Sequence, residues 1–405
     1  MSDKSGCSRR NFFKIATALG AGSLLLPAEG SALAQGETEN PNPEKVPTRT
    51  FGKTGVKVSC LGLGGMFDTA TNQLLLKQAL RWGVTYWDTA PSYGNGNSET
   101  GFGEFFKKYP EARKDVFFVT KSEKFDPEGL SQSLDGSLER TNAKYFDLFF
   151  LHGISDPGLL NKQTRDWAQK AKAQGKIKFI GFSSHANMED MLLAASKLGW
   201  IDGIMLRYDF RIMRTDKMRR AVDACRKAGI GLTAMKTQGR GAVAVDSQAE
   251  LELSSRFIKR GFTDAQAKLM AVWEEPGISA LCSQMPNMTI LMSNIAAALN
   301  RTKLSSEERR LMDAFARESS SGYCPGCTSL CETAIGNSAP VGDIMRFLMY
   351  FNSYGEVDHA RRCFAQIPQQ VRNSLETIDF SAAERICPQR MEIAKLVRQA
   401  VKTLG

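Results

Sequence analysis

Proline is sparse in this chain, 14 of 405 residues, and glycine at 35 is ordinary, which excludes collagen-like and low-complexity disordered classes. Nine cysteines over that length are too few for a small disulfide scaffold. No basic run with interleaved aromatics occurs, so the formal charge of +10, from 53 Lys and Arg against 43 Asp and Glu, reads as a surface and solubility property. That excludes the electrostatic footprint of a nucleic-acid binder. Beyond one N-terminal run, no stretch approaches the roughly 20 apolar residues of a membrane span. No solenoid-type repeat is visible, and no G-x-G-x-x-G follows the first strand pattern, which argues against a doubly wound dinucleotide-binding sheet. What remains is an ordinary globular composition, 42% hydrophobic and 24% charged, long enough for two to three domain equivalents of about 150 residues.

The N-terminus reads as an address. Ser8-Arg9-Arg10-Asn11-Phe12-Phe13-Lys14 precedes an apolar run from Ile15 to Leu26, and Ala32-Leu33-Ala34 supplies an A-x-A cleavage site before Gln35. The basic run resembles the twin-arginine export signal. That resemblance implies the twin-arginine export machinery as a partner, passage in the folded state with cofactors inserted, and a periplasmic or otherwise exported location. Residues 1–34 are thus expected to be a signal peptide and 35–47 a linker.

From Thr48 on, short β-rich runs alternate with helical patterns. Strands are expected at Lys57 to Gly64, Thr85 to Ala90, Val116 to Lys121, Tyr145 to His152, Ile177 to Ser184, Gly203 to Tyr208, Gly231 to Lys236 and Ile278 to Gln284. Helical stretches follow, among them Thr71 to Trp82, Asp166 to Ala173, Met188 to Leu198 and Lys217 to Lys227. Eight such units over about 250 residues predict an α/β fold, a (β/α)8 TIM barrel, spanning 48–300. Residues 301–405 change to helical patterns only, opening on the capping box Ser305 to Glu308 and including Gly342 to Ser353, His359 to Ser374 and Met391 to Leu404. A C-terminal all-helical, cysteine-rich extension is expected there.

In such a barrel the active site lies at the C-terminal ends of the strands. Asp88, Lys121 and His152 stand at the ends of three consecutive strands, and Tyr93 lies in the loop after Asp88. A free Tyr has a pKa of about 10, and a neighbouring Lys would lower it by favouring the phenolate. Asp88 would hold that Lys, and His152 would orient a substrate oxygen. A tyrosine so placed protonates an oxygen as charge develops on it, which suits hydride addition to a carbonyl.

The opening Arg49 to Ser59, the run Trp87-Asp88-Thr89-Ala90-Pro91-Ser92-Tyr93-Gly94, Thr120-Lys121, Leu151-His152 and Gly181-Phe182-Ser183-Ser184-His185 together resemble the aldo/keto reductases, in that family's order. The resemblance covers the whole barrel. It implies a catalytic tetrad of Asp88, Tyr93, Lys121 and His152 with Tyr93 as proton donor, a small-molecule carbonyl substrate and a nicotinamide nucleotide, NADP or NAD. It further implies that Ser183 and Ser184 hydrogen-bond the nicotinamide amide. Met235 stands where many members have an aromatic residue under the nicotinamide, and Met205 where many have Gln. In Leu281 to Met288 no Lys or Arg stands ready for a 2′-phosphate, and Asn294 follows further along. The N-terminus of the helix after that strand could receive a phosphate through its N–H groups.

Cys324, Cys327 and Cys331 form a C-x2-C-x3-C run, and Cys387 supplies a fourth soft ligand in Ile386-Cys387-Pro388. Thiolates this dense usually share a metal: a [4Fe-4S] cluster is expected, with structural zinc, or disulfides or free thiols, as alternatives. A branch of the aldo/keto reductases is similar here, with a cysteine-rich C-terminal segment of ferredoxin type. Cys60, Cys225, Cys282 and Cys363 read as packed thiols, Cys363 being the reserve ligand, and His359 as a surface residue. The leading expectation is an exported hydride-transfer enzyme. Its rival is an iron–sulphur electron carrier, or a non-catalytic barrel without a nucleotide site, that serves a membrane redox partner.

Overall fold

The computed structural model describes residues 44–300 and 302–405. The expected signal peptide, and all of the expected linker except residues 44–47, lie outside the described residues. Eight parallel strands close into a barrel: β3 (Leu61–Gly64), β4 (Tyr86–Asp88), β5 (Phe117–Ser122), β6 (Phe146–Leu151), β7 (Ile177–Ser184), β8 (Gly203–Arg207), β9 (Gly231–Met235) and β10 (Ala280–Gln284). The fold is the expected (β/α)8 barrel with additional C-terminal helices.

The first expected strand proves to be two. Thr48–Thr50 (β1) and Lys57–Ser59 (β2) pair antiparallel as a hairpin outside the barrel, and β3 starts at Leu61. Ser59 is the cause. Its Oγ accepts from the N–H groups of Thr85 and Tyr86, at 2.9 and 3.0 Å, and donates to the Leu61 carbonyl at 2.7 Å. A side chain thus replaces the ladder at the turn into the barrel. The hairpin drives fully buried Phe51 into the barrel, beside Tyr86, Phe117 and Leu148.

Successive strand residues face opposite ways, and here the alternation separates two cores. Tyr86, Phe117, Val119, Leu148, Phe150, Met205 and Ala280 fill the lumen, whereas Trp87, Phe118, Phe149, Phe182, Ile204 and Leu206 pack outward against the helices. Gly181 on β7 lies directly opposite Gly203 on β8, and a Cβ at Gly181 would sit 1.8 Å from the Gly203 carbonyl oxygen. The Gly181→Ala variant is therefore expected to lose about 3 kcal/mol or more of stability, since neither backbone can yield without opening the barrel wall. Urea denaturation checks this; an unchanged midpoint would contradict the packing.

The helices that bear on the site are α1 (Gln73–Arg81), α2 (Asn97–Lys108), α3 (Pro127–Thr141), α4 (Lys162–Ala173), α5 (Met188–Ala195) and α6 (Asp216–Lys227). Two helices, α7 (Gln248–Lys259) and α8 (Asp264–Trp273), intervene before β10, and α9 (Met288–Leu299) follows it. The capping box at Ser305 forms as expected and starts α10 (Ser306–Glu318). Leu311, Met312 and Phe315 of α10, with Tyr323, join the barrel's outer core. A second core begins later, drawing on α11 (Thr328–Ala334), α12 (Val341–Tyr354), α13 (Val357–Ala365), α15 (Ser381–Ile386) and α16 (Ile393–Leu404). The expected helix His359 to Ser374 is broken: α13 ends at Ala365 and α14 (Gln369–Ser374) restarts after Pro368, whose ring cannot continue a helix. Among the described residues, no helix is long and apolar enough to cross a membrane.

Candidate active site

Asp88 is two residues beyond lumen-facing Tyr86, Lys121 two beyond Val119 and His152 two beyond Phe150, so the pleat aims all three into the barrel mouth. Tyr93 arrives from the loop after β4. Directly after it Gly94, Asn95 and Gly96 all take positive φ, 58°, 54° and 90°, turning the chain sharply into α2. Ser98 holds this loop, donating to the Gly65 carbonyl at 2.6 Å and sharing a 2.7 Å hydrogen bond with Thr89 Oγ1. Fully buried Glu99 locks α2 in place by accepting from Thr120 Oγ1 (2.6 Å) and Arg140 Nε (2.7 Å).

Lys121 is the hub. Its Nζ donates to Asp88 Oδ1 at 2.6 Å, to the Thr89 carbonyl at 2.8 Å and to the Tyr93 hydroxyl oxygen at 3.2 Å. Tyr93 accepts from Lys121, so its own O–H is free to donate elsewhere. The His152 ring stands edge-on to Tyr93 with centroids 5.9 Å apart. Its Nδ1 lies 3.1 Å from Glu123 Oε1, an ion-pair distance, yet has no well-aligned hydrogen bond. The structure thus brings all four expected tetrad residues together. It adds Glu123, which lies one position past the end of β5, as His152 lies one past the end of β6, and which the sequence reading did not single out.

The electrostatics differ from the expectation at one point. Lys121 was expected to lower the Tyr93 pKa, but burial pushes the phenol well above its ordinary value, and the negative charge of Asp88 adds to the rise. Cys282, Tyr350 of α12 and Glu123 add smaller Coulombic contributions in the same direction. Tyr93 is thereby held in its protonated, donating form. Burial also raises the Asp88 carboxyl, against the opposing pull of Lys121. Desolvation lowers His152, and the charges of Lys121 and Arg346 reinforce it. Glu123 is held down to about 2, first by His152.

All three histidines are held neutral by burial: His152, His185 far below its ordinary value, and His359 at about 4. In the unfolded chain each takes a proton as pH falls through about 6.5, and in the fold each takes it only at lower pH. Glu332 works in the opposite sense, because burial raises it to about 7 and it binds a proton in the fold. With the histidines outweighing Glu332 in this window, the unfolding free energy is expected to fall between pH 7 and pH 5.5, by up to about 1.4 kcal/mol per pH unit for each net proton. The Glu332→Gln variant should steepen that fall, and a scanning-calorimetry series showing stability rising on acidification would contradict the assignment.

The expected nucleotide residues separate. Ser183 follows lumen-facing Gly181; its Oγ accepts from the Gly153 N–H at 2.9 Å and keeps its own proton free. Ser184 belongs with the outward row of Ile180 and Phe182, and its hydroxyl is spent on the Ala186 carbonyl at 2.8 Å. Met235 packs half-buried against the lumen core at the mouth, while Met205 fills the lumen below. Asn294 lies on α9 and donates to Ser283 Oγ at 3.0 Å. Asn287 caps α9 by accepting from the Ile290 N–H. Of these residues, Ser183 and Met235 face the barrel mouth.

The extension is seated on this mouth. Arg207 at the end of β8 donates to the Cys324 carbonyl at 2.5 Å, the Asn187 N–H donates to the Gly326 carbonyl at 2.8 Å, and Gln284 Nε2 donates to Glu356 at 3.0 Å. Lys236 lies over the Tyr350 ring at 4.6 Å. Arg207 and Lys236 escaped the sequence reading although the strand-end rule would have flagged them; Arg346 and Tyr350 had no such signal. A surface groove between α3 and α4 on the outer wall holds none of these residues.

Cys324, Cys327, Cys331 and Cys387 line one small pocket, whose other walls are apolar: Pro325, Leu330, Val341, Met345, Pro388, Met391 and Ile393. All four are free thiols, and burial pushes Cys327 and Cys331 up to about 12. Among the described residues no three or more His, Cys, Asp or Glu side chains gather as a metal-ion site. Cys363 lies outside that pocket, its Sγ 3.6 Å from His359 Nε2. Cys60 and Cys225 are buried as expected, and His359 is half-buried rather than a surface residue.

A model of the aldo/keto reductase family matches residues 60–303. L-galactose dehydrogenase of Arabidopsis thaliana is 32% identical over 155 residues, covering 34% of this chain and 49% of that protein. The aldo-keto reductase yakc [NADP(+)] of Schizosaccharomyces pombe is 27% identical over 215 residues, covering 48% and 62%. The chain thus spans about half to three-fifths of the length of these curated relatives. Among solved structures, the thermostable aldo-keto reductase Tm1743, in complex with the inhibitor epalrestat, matches with a TM-score of 0.55 at 25% identity, covering 66% of this chain and 98% of that one. The holo form of an aldo-keto reductase from Bacillus halodurans, at 21% identity and a TM-score of 0.54, shares the fold.

Proposed function

The chain belongs to the aldo/keto reductase family, and on that premise we propose that it is an exported oxidoreductase, transferring hydride between a nicotinamide nucleotide and the carbonyl or alcohol of a small molecule. The observation that carries this reading is the Lys121 ammonium, which holds Asp88 and the Tyr93 oxygen at once in the barrel mouth. The nucleotide, when bound, supplies or accepts the hydride. Tyr93 then donates its free proton to the substrate oxygen, while Lys121 steadies the phenolate left behind. His152, kept neutral, is placed to orient that oxygen without competing as a cation. Ser183 offers its hydroxyl to the nucleotide, and Met235 offers a soft apolar surface. The α12 roof excludes water from the developing charge.

Export rests on the Ser8 to Lys14 motif. A [4Fe-4S] cluster in the tail is supported by four unpaired soft ligands around one apolar pocket. Because Cys324 is tied through its carbonyl to Arg207 at the mouth, an electron-carrier role beside a membrane redox partner is the second reading. The deciding experiment is anaerobic purification followed by NADPH and NADH titrations with simple aldehydes. Nucleotide oxidation that depends on aldehyde is expected. A protein that binds neither nucleotide would overturn the hydride reading and leave the electron carrier.

A further inference from the structure

Between the barrel mouth and the extension lies a niche that the tetrad does not use. Its walls are His185, Arg207 and Lys236 from the strand ends, with Cys324, Asp343 and Arg346 from the extension. It encloses about 300 Å³ counting its open mouth, with room at the floor for one water-sized group. Such a shape accepts the end of a ligand rather than a whole molecule.

Its charge is unbalanced. Arg207 is 6% exposed, and its terminal nitrogens are spent on the Cys324 and Arg240 carbonyls at 2.5 and 3.2 Å. The closest carboxylate, Asp209, is 3.7 Å from Nε and already accepts from the Tyr323 hydroxyl (2.7 Å) and the Arg211 N–H (2.9 Å). Lys236 has only aromatic faces, Tyr350 at 4.6 Å and Tyr354 at 5.9 Å, and no carboxylate within ion-pair distance among the described residues. Arg346 pairs with Asp343 at 2.8 Å, but that carboxylate is half exposed. Three nitrogens of the lining, Arg207 Nε, Arg346 Nε and His185 Nδ1, are buried without a hydrogen-bond partner. The two guanidinium N–H groups are buried donors left unmatched and call for an acceptor.

The backbone agrees. Lys236 takes φ +56°, a conformation costly to a side-chain-bearing residue and found where surrounding structure enforces it. Among the described residues that line the niche, Asp343 is the one acidic side chain, against Arg207, Lys236 and Arg346; Asp209 stands behind Arg207, and Glu332 accepts from the Gly342 N–H at 2.9 Å. The Gly153 N–H, next to His152, donates to Ser183 Oγ at 2.9 Å, and His185 follows Ser183 by two residues, so the niche lies on the same rim as the tetrad.

We propose that this niche binds the anionic end, a carboxylate or phosphate, of the carbonyl or alcohol substrate turned over at Tyr93. The proposal rests on the hydride-transfer reading. The specificity of the enzyme is then for acidic carbonyl compounds, with Arg346 and Lys236 as charge-assisted donors and Arg207 as the buried floor.

The test compares 4-carboxybenzaldehyde with benzaldehyde in wild type, Arg346→Met and Lys236→Met, alongside the NADPH dissociation constant by fluorescence and calorimetric titration with benzoate and inorganic phosphate. Wild type should favour the carboxylate in kcat/KM, and each variant should cut that preference by roughly tenfold or more, with NADPH affinity kept. Variants that weaken NADPH while leaving the preference intact would assign the niche to a nucleotide phosphate and overturn the proposal. If wild type reduces neither aldehyde but binds benzoate or phosphate in a manner lost in Arg346→Met, the anion site stands and the hydride reading fails. No preference, with no benzoate or phosphate binding, overturns it outright.

Discussion

The Tyr93→Phe variant is expected to lose between about a hundredfold and ten-thousandfold in kcat for carbonyl reduction, the range over which a positioned general acid acts. The ring is kept and only the hydroxyl removed. Lys121 retains Asp88 at 2.6 Å and the Thr89 carbonyl at 2.8 Å, so the fold and the buried ion pair survive and the loss is one of chemistry. Stopped-flow NADPH oxidation at saturating nucleotide measures it directly. The wild-type rate also carries a signature: because burial holds the Tyr93 phenol above its ordinary value, the proton is present throughout neutral and mildly alkaline pH. The reduction rate should therefore show no Tyr-dependent decline up to about pH 9. A Phe variant within threefold of wild type, at matched nucleotide occupancy, would remove Tyr93 from the proposed role.

What could be seen in the sequence, and what could not, follows from how far each interaction reaches. Asp88, Lys121 and His152 were legible because the pleat of a parallel strand fixes where its last inward residue points, and lumen-facing Tyr86, Val119 and Phe150 each stand two positions earlier. The same rule placed Ser183 at the mouth, yet the adjacent Ser184 turns to the outer core, which a motif shared by both serines does not distinguish. Arg207 follows Met205 by two and was equally open to the rule. The split of Lys57 to Gly64 was hidden because a side-chain hydroxyl, Ser59 Oγ, supplies hydrogen bonds that alternation of apolar residues does not record. Least legible was the roof. Tyr350 and Arg346 reach the tetrad only because α12 is carried back across the mouth by contacts such as Arg240 with the Ser353 carbonyl (2.5 Å) and Asn352 with the Ala242 carbonyl (2.7 Å). Desolvation and the charge of Asp88 raise the Tyr93 phenol, which the local argument from Lys121 alone did not count.

The Cys331→Ala variant is expected to lose most of its bound metal. Cys331 is the buried member of the four thiols, and it sits on α11 inside the second core with Ile344, Met345 and Val397. Neutral thiols in an apolar pocket cost little, but a metal requires thiolates, and four thiolates without a cation would repel one another in that pocket. With the proposed metal in place, its binding would be coupled to closure of this core, and removing one ligand would weaken both. Wild type purified anaerobically should hold about four irons and four sulphides per chain with a broad visible band, and Cys331→Ala should fall below about one iron. The variant should also gain protease-sensitive sites beyond Tyr323 while the barrel core, in which Leu311, Phe315 and Tyr323 take part, stays resistant. Since α12 roofs the tetrad, loosening it would admit water to Tyr93 and draw its pKa back toward the ordinary value, so turnover should fall together with iron content. One zinc per chain in wild type would replace the cluster with a structural ion, and iron content unaffected by the substitution would remove Cys331 from the ligand set.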